Sequence, residues 1–265
     1  MSDRKLYIGT NLKMYKDAKD TCSYLQQLQE LTKGYVSDGL TLFVIPSYTS
    51  LPAAYSLHLN SIMLGAQNMC WAEKGQYTGE ISPLMLKELN IDLVEIGHSE
   101  RRWVFHETND MIHKKVMAAL EHGFRTLLCI GETFEDMTQE IGAEALKIQI
   151  KTALKDVPQD CTDRIWVAYE PVWSIGESGI PATPEYVNSK INDIRSTLIQ
   201  QFPSANSTIP VLYGGSVNMD NACDFIEKAG IDGLFVGRAA WEAAGFEKLI
   251  GKVIKTWGKV VGNLA

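Results

Sequence analysis

Eight short apolar runs, each followed by a polar loop and most of them by a helix-like stretch, constrain this chain more than any other feature. They are Leu6 to Thr10, Leu40 to Ile45, Ser61 to Ala66, Leu93 to Ile96, Thr126 to Ile130, Ile165 to Tyr169, Ile209 to Tyr213 and Gly233 to Val236. Continuous apolar character over so few residues marks strands buried on both faces. Helical patterns lie between them, at Asp17 to Thr32, Asp110 to Glu121, Thr138 to Lys155, Pro184 to Gln201 and Trp241 to Val261, with Asp, Thr or Ser near their starts. Strand and helix in alternation imply parallel pairing, in an open doubly wound sheet or a closed (β/α)8 barrel. The count of eight favours the barrel, and 265 residues suits one such α/β domain over residues 1–265. No linker or low-complexity segment divides the chain.

The formal charge of −7, with both signs interleaved, offers no basic stripe for a nucleic-acid backbone or an anionic membrane, so the expected partner is a small molecule. Cys22, Cys70, Cys129, Cys161 and Cys223 are odd in number, widely spaced and without metal-type pairing. They read as reduced thiols of a cytoplasmic protein. Met1-Ser2-Asp3-Arg4-Lys5 leads directly into the first run, with no apolar segment suited to secretion or membrane spanning.

Unusual polar residues cluster just after the apolar runs, the face of a barrel on which active sites are built. Asn11-Leu12-Lys13-Met14 puts an amide and a cation after the first run. The lysine is either a solvated charge or a fixed cation for a phosphate and a developing oxyanion. In Gly97-His98-Ser99-Glu100-Arg101-Arg102 the histidine opens a helix, whose positive end disfavours imidazolium. Neutral, it caps the helix or polarises a carbonyl. His58, His106, His113 and His122 read as structural. Glu170 ends the sixth run before the aromatic, glycine-containing loop Pro171-Val172-Trp173-Ser174-Ile175-Gly176. It is either a strand-end ion-pair partner or a base stripped of water, and hence made more basic, by closure of that loop. Tyr213-Gly214-Gly215-Ser216 and Gly233 to Arg238 supply glycine turns after the last two runs, where barrel backbones commonly bind phosphate.

Together these segments resemble triosephosphate isomerase. The match runs through Asn11-x-Lys13-Met14, Gly65-Ala66-Gln67-Asn68, Thr78-Gly79-Glu80-Ile81-Ser82, Gly97 to Arg102, Cys129-Ile130-Gly131-Glu132, Tyr169-Glu170-Pro171-Val172-Trp173 and Tyr213 to Ser216, all in the family's order. The resemblance implies a TIM barrel. It also implies catalysis by Glu170 as carbon base, His98 as neutral electrophile and Lys13 as electrostatic partner, with Asn11 and Lys13 facing the substrate oxygens. Gly176, Ser216 and Gly237 match phosphate-holding positions. No metal or organic cofactor is implied. The segment Cys70 to Glu80 is similar to the family's interlocking loop, which implies a homodimer in which it approaches the neighbouring subunit's Asn11 and Lys13.

Three departures stand out, all expected near the substrate. Leu12 replaces the usual tryptophan, the loop Ser174 to Ala182 is one residue longer, and Arg238 replaces the second glycine of the strand-eight pair. With the catalytic triplet intact, they suggest unchanged chemistry on a changed substrate. The loop wording and Gly237-Arg238-Ala239-Ala240-Trp241 are similar to the branch that isomerises L-erythrulose 1-phosphate and D-erythrulose 4-phosphate in erythritol catabolism. That four-carbon reading is placed ahead of interconversion of dihydroxyacetone phosphate and D-glyceraldehyde 3-phosphate, and both ahead of a non-catalytic sugar-phosphate-binding barrel. Arg238 is expected to reach the phosphate, or to fix the longer loop through a group such as Glu177; otherwise it points to solvent.

Overall fold

The computed structural model describes residues 5–35, 39–176, 179–204 and 209–262. Eight parallel strands close into a barrel in chain order. They are β1 Leu6–Asn11, β2 Leu40–Ile45, β3 Met63–Ala66, β4 Leu93–Ile96, β5 Arg125–Ile130, β6 Ile165–Tyr169, β7 Val211–Tyr213 and β8 Gly233–Val236. β1 pairs with β2 on one side and β8 on the other, so no edge is left open and the doubly wound alternative is excluded.

Around the barrel lie α1 Ala18–Thr32, α2 Leu51–Tyr55, α3 Pro83–Glu88, α4 Ser99–Trp103, α5 Asn109–Glu121, α6 Phe134–Thr138, α7 Gly142–Ala153, α8 Pro184–Gln201, α9 Ala222–Lys228 and α10 Ala243–Gly262. Asp17, Thr108 and Thr183 cap α1, α5 and α8 through their side chains, which satisfies backbone donors the first helical turn cannot. Among the described residues no helix is long and apolar enough to cross a membrane.

Some expected boundaries move. The runs from Ser61 and Ile209 pair only from Met63 and Val211; in the second, Pro210 has no N–H to give a neighbouring strand. The helix expected over 138–155 runs only over α7, from Gly142 to Ala153, and a separate helix, α6, precedes it. Thr133 and Asp136 form a reciprocal capping box that starts α6 earlier, and Glu140, at φ +59°, interrupts the helical course before Gly142. The last helix starts at Ala243 because Arg238–Ala240 is a separate 3-10 turn.

Side chains alternate across each strand and so build two cores. Phe43, Ile45, Leu93, Leu127, Trp166, Ala168, Leu212 and Phe235 fill the barrel interior. Phe43 packs 5.6 Å from Trp166 and 5.7 Å from Phe235, centroid to centroid. Gly9 makes room for it: a Cβ there would lie 2.2 Å from the Phe43 ring. The outward residues, among them Ile8, Val94, Val167 and Val211, pack against Leu25, Ile112, Ile150, Ile191 and Phe246 of the helices. Burying each such side chain contributes roughly 1.5–3 kcal/mol.

Candidate active site

Extending the inward rows past the core leads directly to the polar groups. Two residues beyond Gly9, Ile45, Gly65, Cys129, Ala168, Leu212 and Phe235 stand Asn11, Ser47, Gln67, Gly131, Glu170, Gly214 and Gly237. All but Gly131 line one cavity of about 1060 Å³ at the C-terminal ends of the strands, together with Lys13, His98, Gly176, Ser216 and Arg238. Every site residue expected from the sequence therefore borders the same space.

Glu170 is 3 % exposed, and among the described residues its Oε2 has no hydrogen-bond partner. Burial pushes its pKa up to about 7, against the pull of the Lys13 ammonium. His98 is the N-cap of α4; its Nδ1 accepts from the backbone N–H of Glu100 at 3.2 Å, which places the proton of the neutral ring on Nε2. That Nε2 lies 3.9 Å from Glu170 Oε1. Burial, then the Lys13 charge, lowers the His98 pKa to about 4. The imidazole is neutral, as expected, but burial leads where the sequence pointed to the helix end.

Lys13 occupies the left-handed region at φ +50°. Its backbone N–H donates to Asn11 Oδ1 at 2.6 Å, and its Nζ donates to Glu100 Oε1 at 2.6 Å. Burial alone would push Glu100 up; the ion pair with Lys13 holds it below the ordinary carboxylate value. Asn11 Oδ1 also accepts from Gln67 Nε2 at 3.0 Å, and Asn11 Nδ2 donates to Glu95 Oε2 at 2.6 Å.

Glu95 was given no role by the sequence reading. It is fully buried on β4, and burial, then the Glu170 carboxylate, raises its pKa well above the usual range. Glu95, His98 and Glu170 bring polar atoms within 4.8 Å of one another. Glu132 was missed too: its Oε1 accepts from Tyr169 Oη at 2.9 Å, Trp173 Nε1 at 3.0 Å and Tyr186 Oη at 2.9 Å, anchoring the start of the loop after β6. Arg102 holds the loop after β4 to β5, donating to the carbonyls of Gly97 at 2.7 Å and Cys129 at 3.0 Å.

Close backbone approach explains two glycines. A Cβ on Gly131 would fall 1.8 Å from the Glu170 carbonyl oxygen, and one on Gly214 would fall 2.9 Å from Glu170 Cγ. Gly176, at φ +90°, takes a conformation that L side chains rarely adopt.

The departures resolve unequally. Leu12 is 1 % exposed and belongs to the outer core, because residue 12 takes the outward register opposite Asn11. It does not border the cavity, so the expectation that all three departures lie near the substrate is corrected. Arg238 is exposed at the cavity rim, and its Nη2 donates to the Gly176 carbonyl at 2.9 Å. Of the expected contacts it makes the one to the loop; Glu177 lies outside the described residues. His58, His106, His113 and His122 do not line the cavity.

A family model described as triosephosphate isomerase matches residues 6–253. An L-erythrulose-1-phosphate isomerase of Rhizobium rhizogenes is 41% identical over 250 residues, covering 94% of both chains. One from Brucella abortus is 42% identical, covering 94% of this chain and 96% of its own. A triosephosphate isomerase of Dictyoglomus turgidum is 39% identical over 249 residues, 93% of this chain and 99% of its own.

Proposed function

Because this chain belongs to the triosephosphate isomerase family and is therefore an isomerase, we propose that it interconverts L-erythrulose 1-phosphate and D-erythrulose 4-phosphate. The observation that carries the reaction is the buried pair of Glu170 and His98, 3.9 Å apart and pushed in opposite directions, one toward a stronger base and the other toward a neutral donor. The relatives named for L-erythrulose 1-phosphate support the four-carbon substrate.

Glu170 removes the proton from the carbon beside the ketone, on the side away from phosphate. The electron pair moves onto the carbonyl oxygen, giving an enediolate. His98 Nε2–H donates to that oxygen and takes back the proton of the neighbouring hydroxyl, while the Lys13 ammonium offsets the spreading negative charge. Glu170 then returns its proton to the carbon nearer the phosphate, and the carbonyl has moved by one carbon. Asn11, fixed by Glu95 and Gln67, faces the substrate oxygens. Gly176, Ser216 and Gly237 hold the phosphate through the loops after β6, β7 and β8. The charge falls on oxygens that protein groups meet, so the proposal calls for no metal or organic cofactor.

Incubating L-erythrulose 1-phosphate with the purified chain in D2O tests this. Appearance of D-erythrulose 4-phosphate carrying deuterium at the new C–H supports it, whereas substrate recovered unchanged and unlabelled contradicts it.

We also propose a homodimer in the cytoplasm. The segment Glu73 to Glu80 stands exposed, with Trp71 and Tyr77 edge to face at 5.9 Å. Met14, Tyr15 and Phe105 expose apolar surface at the cavity rim. Such a patch is a natural contact for another subunit. The described cysteines are free, which suits a reducing compartment. Sedimentation at low micromolar concentration distinguishes the dimer from an active monomer.

A further inference from the structure

We propose that Arg238 is a positioning residue that latches the loop after β6 through the Gly176 carbonyl, and so decides whether the enediolate is reprotonated or loses its phosphate. This rests on the family reaction through an enediolate and not on the choice of a four-carbon substrate.

The first observation is the contact itself. Arg238 Nη2 donates to the Gly176 oxygen at 2.9 Å, joining the end of β8 to a loop 62 residues away in sequence. A guanidinium donating to a neutral carbonyl gives a directional, charge-assisted bond. At an exposed site it competes with water, so it forms and breaks readily enough for a loop that must open to release product.

One end of this latch is fixed. The 3-10 turn Arg238–Ala240 is held from two sides: Tyr24 Oη of α1 donates to the Ala240 carbonyl at 2.7 Å, and Trp241 Nε1 donates to the Asn11 carbonyl at 3.0 Å. Trp241 also packs against Tyr15, with centroids 4.4 Å apart. The residue that carries the guanidinium is thus braced against α1 and against the strand end that bears Asn11 and Lys13.

At the other end of the latch the two described limbs of the loop meet. Ile180 N–H donates to the Trp173 carbonyl at 3.1 Å, tying the two limbs of the loop together. Gly179 lets them touch, since a Cβ there would fall 2.5 Å from the Ser174 oxygen. A restraint applied at Gly176 therefore reaches both described limbs, through the bond between Trp173 and Ile180.

The chemical consequence follows from the intermediate. The enediolate carries a phosphate ester on the adjacent carbon. It can be protonated on carbon by Glu170-H, or it can break that C–O bond, the phosphate leaving with the bonding electrons. In the second course the ester carbon is reduced, the carbon that lost its proton to Glu170 is oxidised to a carbonyl (a ketone from the four-carbon substrate, an aldehyde from the triose), and a 1,2-dicarbonyl results after tautomerisation. No outside oxidant or reductant is needed. Elimination requires the C–O bond to swing into alignment with the π electrons. A loop held closed over the phosphate denies that rotation and excludes water.

The test compares wild type, Arg238→Ala and Arg238→Lys by kcat, KM and inorganic phosphate released per product formed, on both L-erythrulose 1-phosphate and dihydroxyacetone phosphate. Arg238→Ala is expected to raise phosphate release per product by about tenfold or more and to lower kcat/KM by a similar factor, with Arg238→Lys between it and wild type. Thermal melts show whether each variant is folded, and should alanine fail there, the lysine variant alone carries the comparison. An unchanged partition ratio overturns the latch, whether activity falls, as for a direct phosphate ligand, or stays level, as for a solvent-facing arginine. A wild type inactive on the four-carbon substrate overturns the proposed substrate while the triose arm still reads the latch; inactivity on both overturns the two together.

Discussion

His98 Nε2 stands 3.9 Å from Glu170 Oε1 in a cavity wall where both side chains are almost wholly buried. The same burial that makes the glutamate harder to ionise makes the histidine harder to protonate. The ordinary order of the two groups, 4.5 for the carboxyl and 6.5 for the imidazole, is reversed, and each is left in the form the isomerisation uses near neutral pH: a carboxylate with raised basicity and an imidazole that keeps its Nε2 proton.

The pH dependence of kcat/KM follows. Glu170 must be ionised to act as base, so the rate constant is expected to rise with pH through about 7 and level off above it. His98, with its pKa near 4, adds no limb above about pH 5. The substrate phosphate ionises near about pH 6, so a limb centred near 7 belongs to the enzyme. A single limb between about 4 and 5 contradicts this account of Glu170.

Stability carries the same signature with a definite sign. Glu170 has a native pKa raised from 4.5 to about 7, so between those values the folded chain binds more protons than the unfolded chain and stability falls as pH rises. Glu170→Gln keeps the shape and removes the ionisation. Chemical denaturation should find it more stable than wild type at pH 8, with the difference shrinking as pH falls and gone below about pH 4.5. A difference that does not vary with pH contradicts the raised native value.

Gly214→Ala tests placement of the base without touching its chemistry. The new Cβ would meet Glu170 Cγ at 2.9 Å and Oε1 at 3.1 Å, so the carboxylate must give by a few tenths of an ångström. Proton abstraction is sensitive to shifts of that size. The variant is expected to fold, to bind substrate with little change in KM, and to lose about tenfold or more in kcat. An unchanged kcat means that the carboxylate has slack the reaction tolerates.

Much of this was legible in the sequence, for a physical reason. Strands buried on both faces must be apolar throughout, so the runs that became β1 to β8 stood out, and polar residues just past them had to lie at the strand ends. Glu170, His98 and Lys13 were visible on that account. Glu95 was not, because it sits inside a strand and its partner Asn11 is 84 residues away. Glu132 draws its three donors from Tyr169, Trp173 and Tyr186, a convergence that only the closed barrel creates. Leu12 was misplaced because its neighbours Asn11 and Lys13 face the cavity while its own register points outward. For Arg238 the loop was an expected partner but the acceptor was not legible, since it is the main-chain oxygen of Gly176 and no side chain marks it.

The central claim, a four-carbon sugar phosphate as substrate, is tested most directly by measuring kcat/KM side by side on L-erythrulose 1-phosphate and dihydroxyacetone phosphate. That ratio reports how differently the site binds the two transition states. The account predicts a preference of about tenfold or more for the four-carbon ketose. A preference of that size for dihydroxyacetone phosphate would contradict it, leaving the barrel, the base and the neutral histidine in place but making the chain a triose phosphate enzyme.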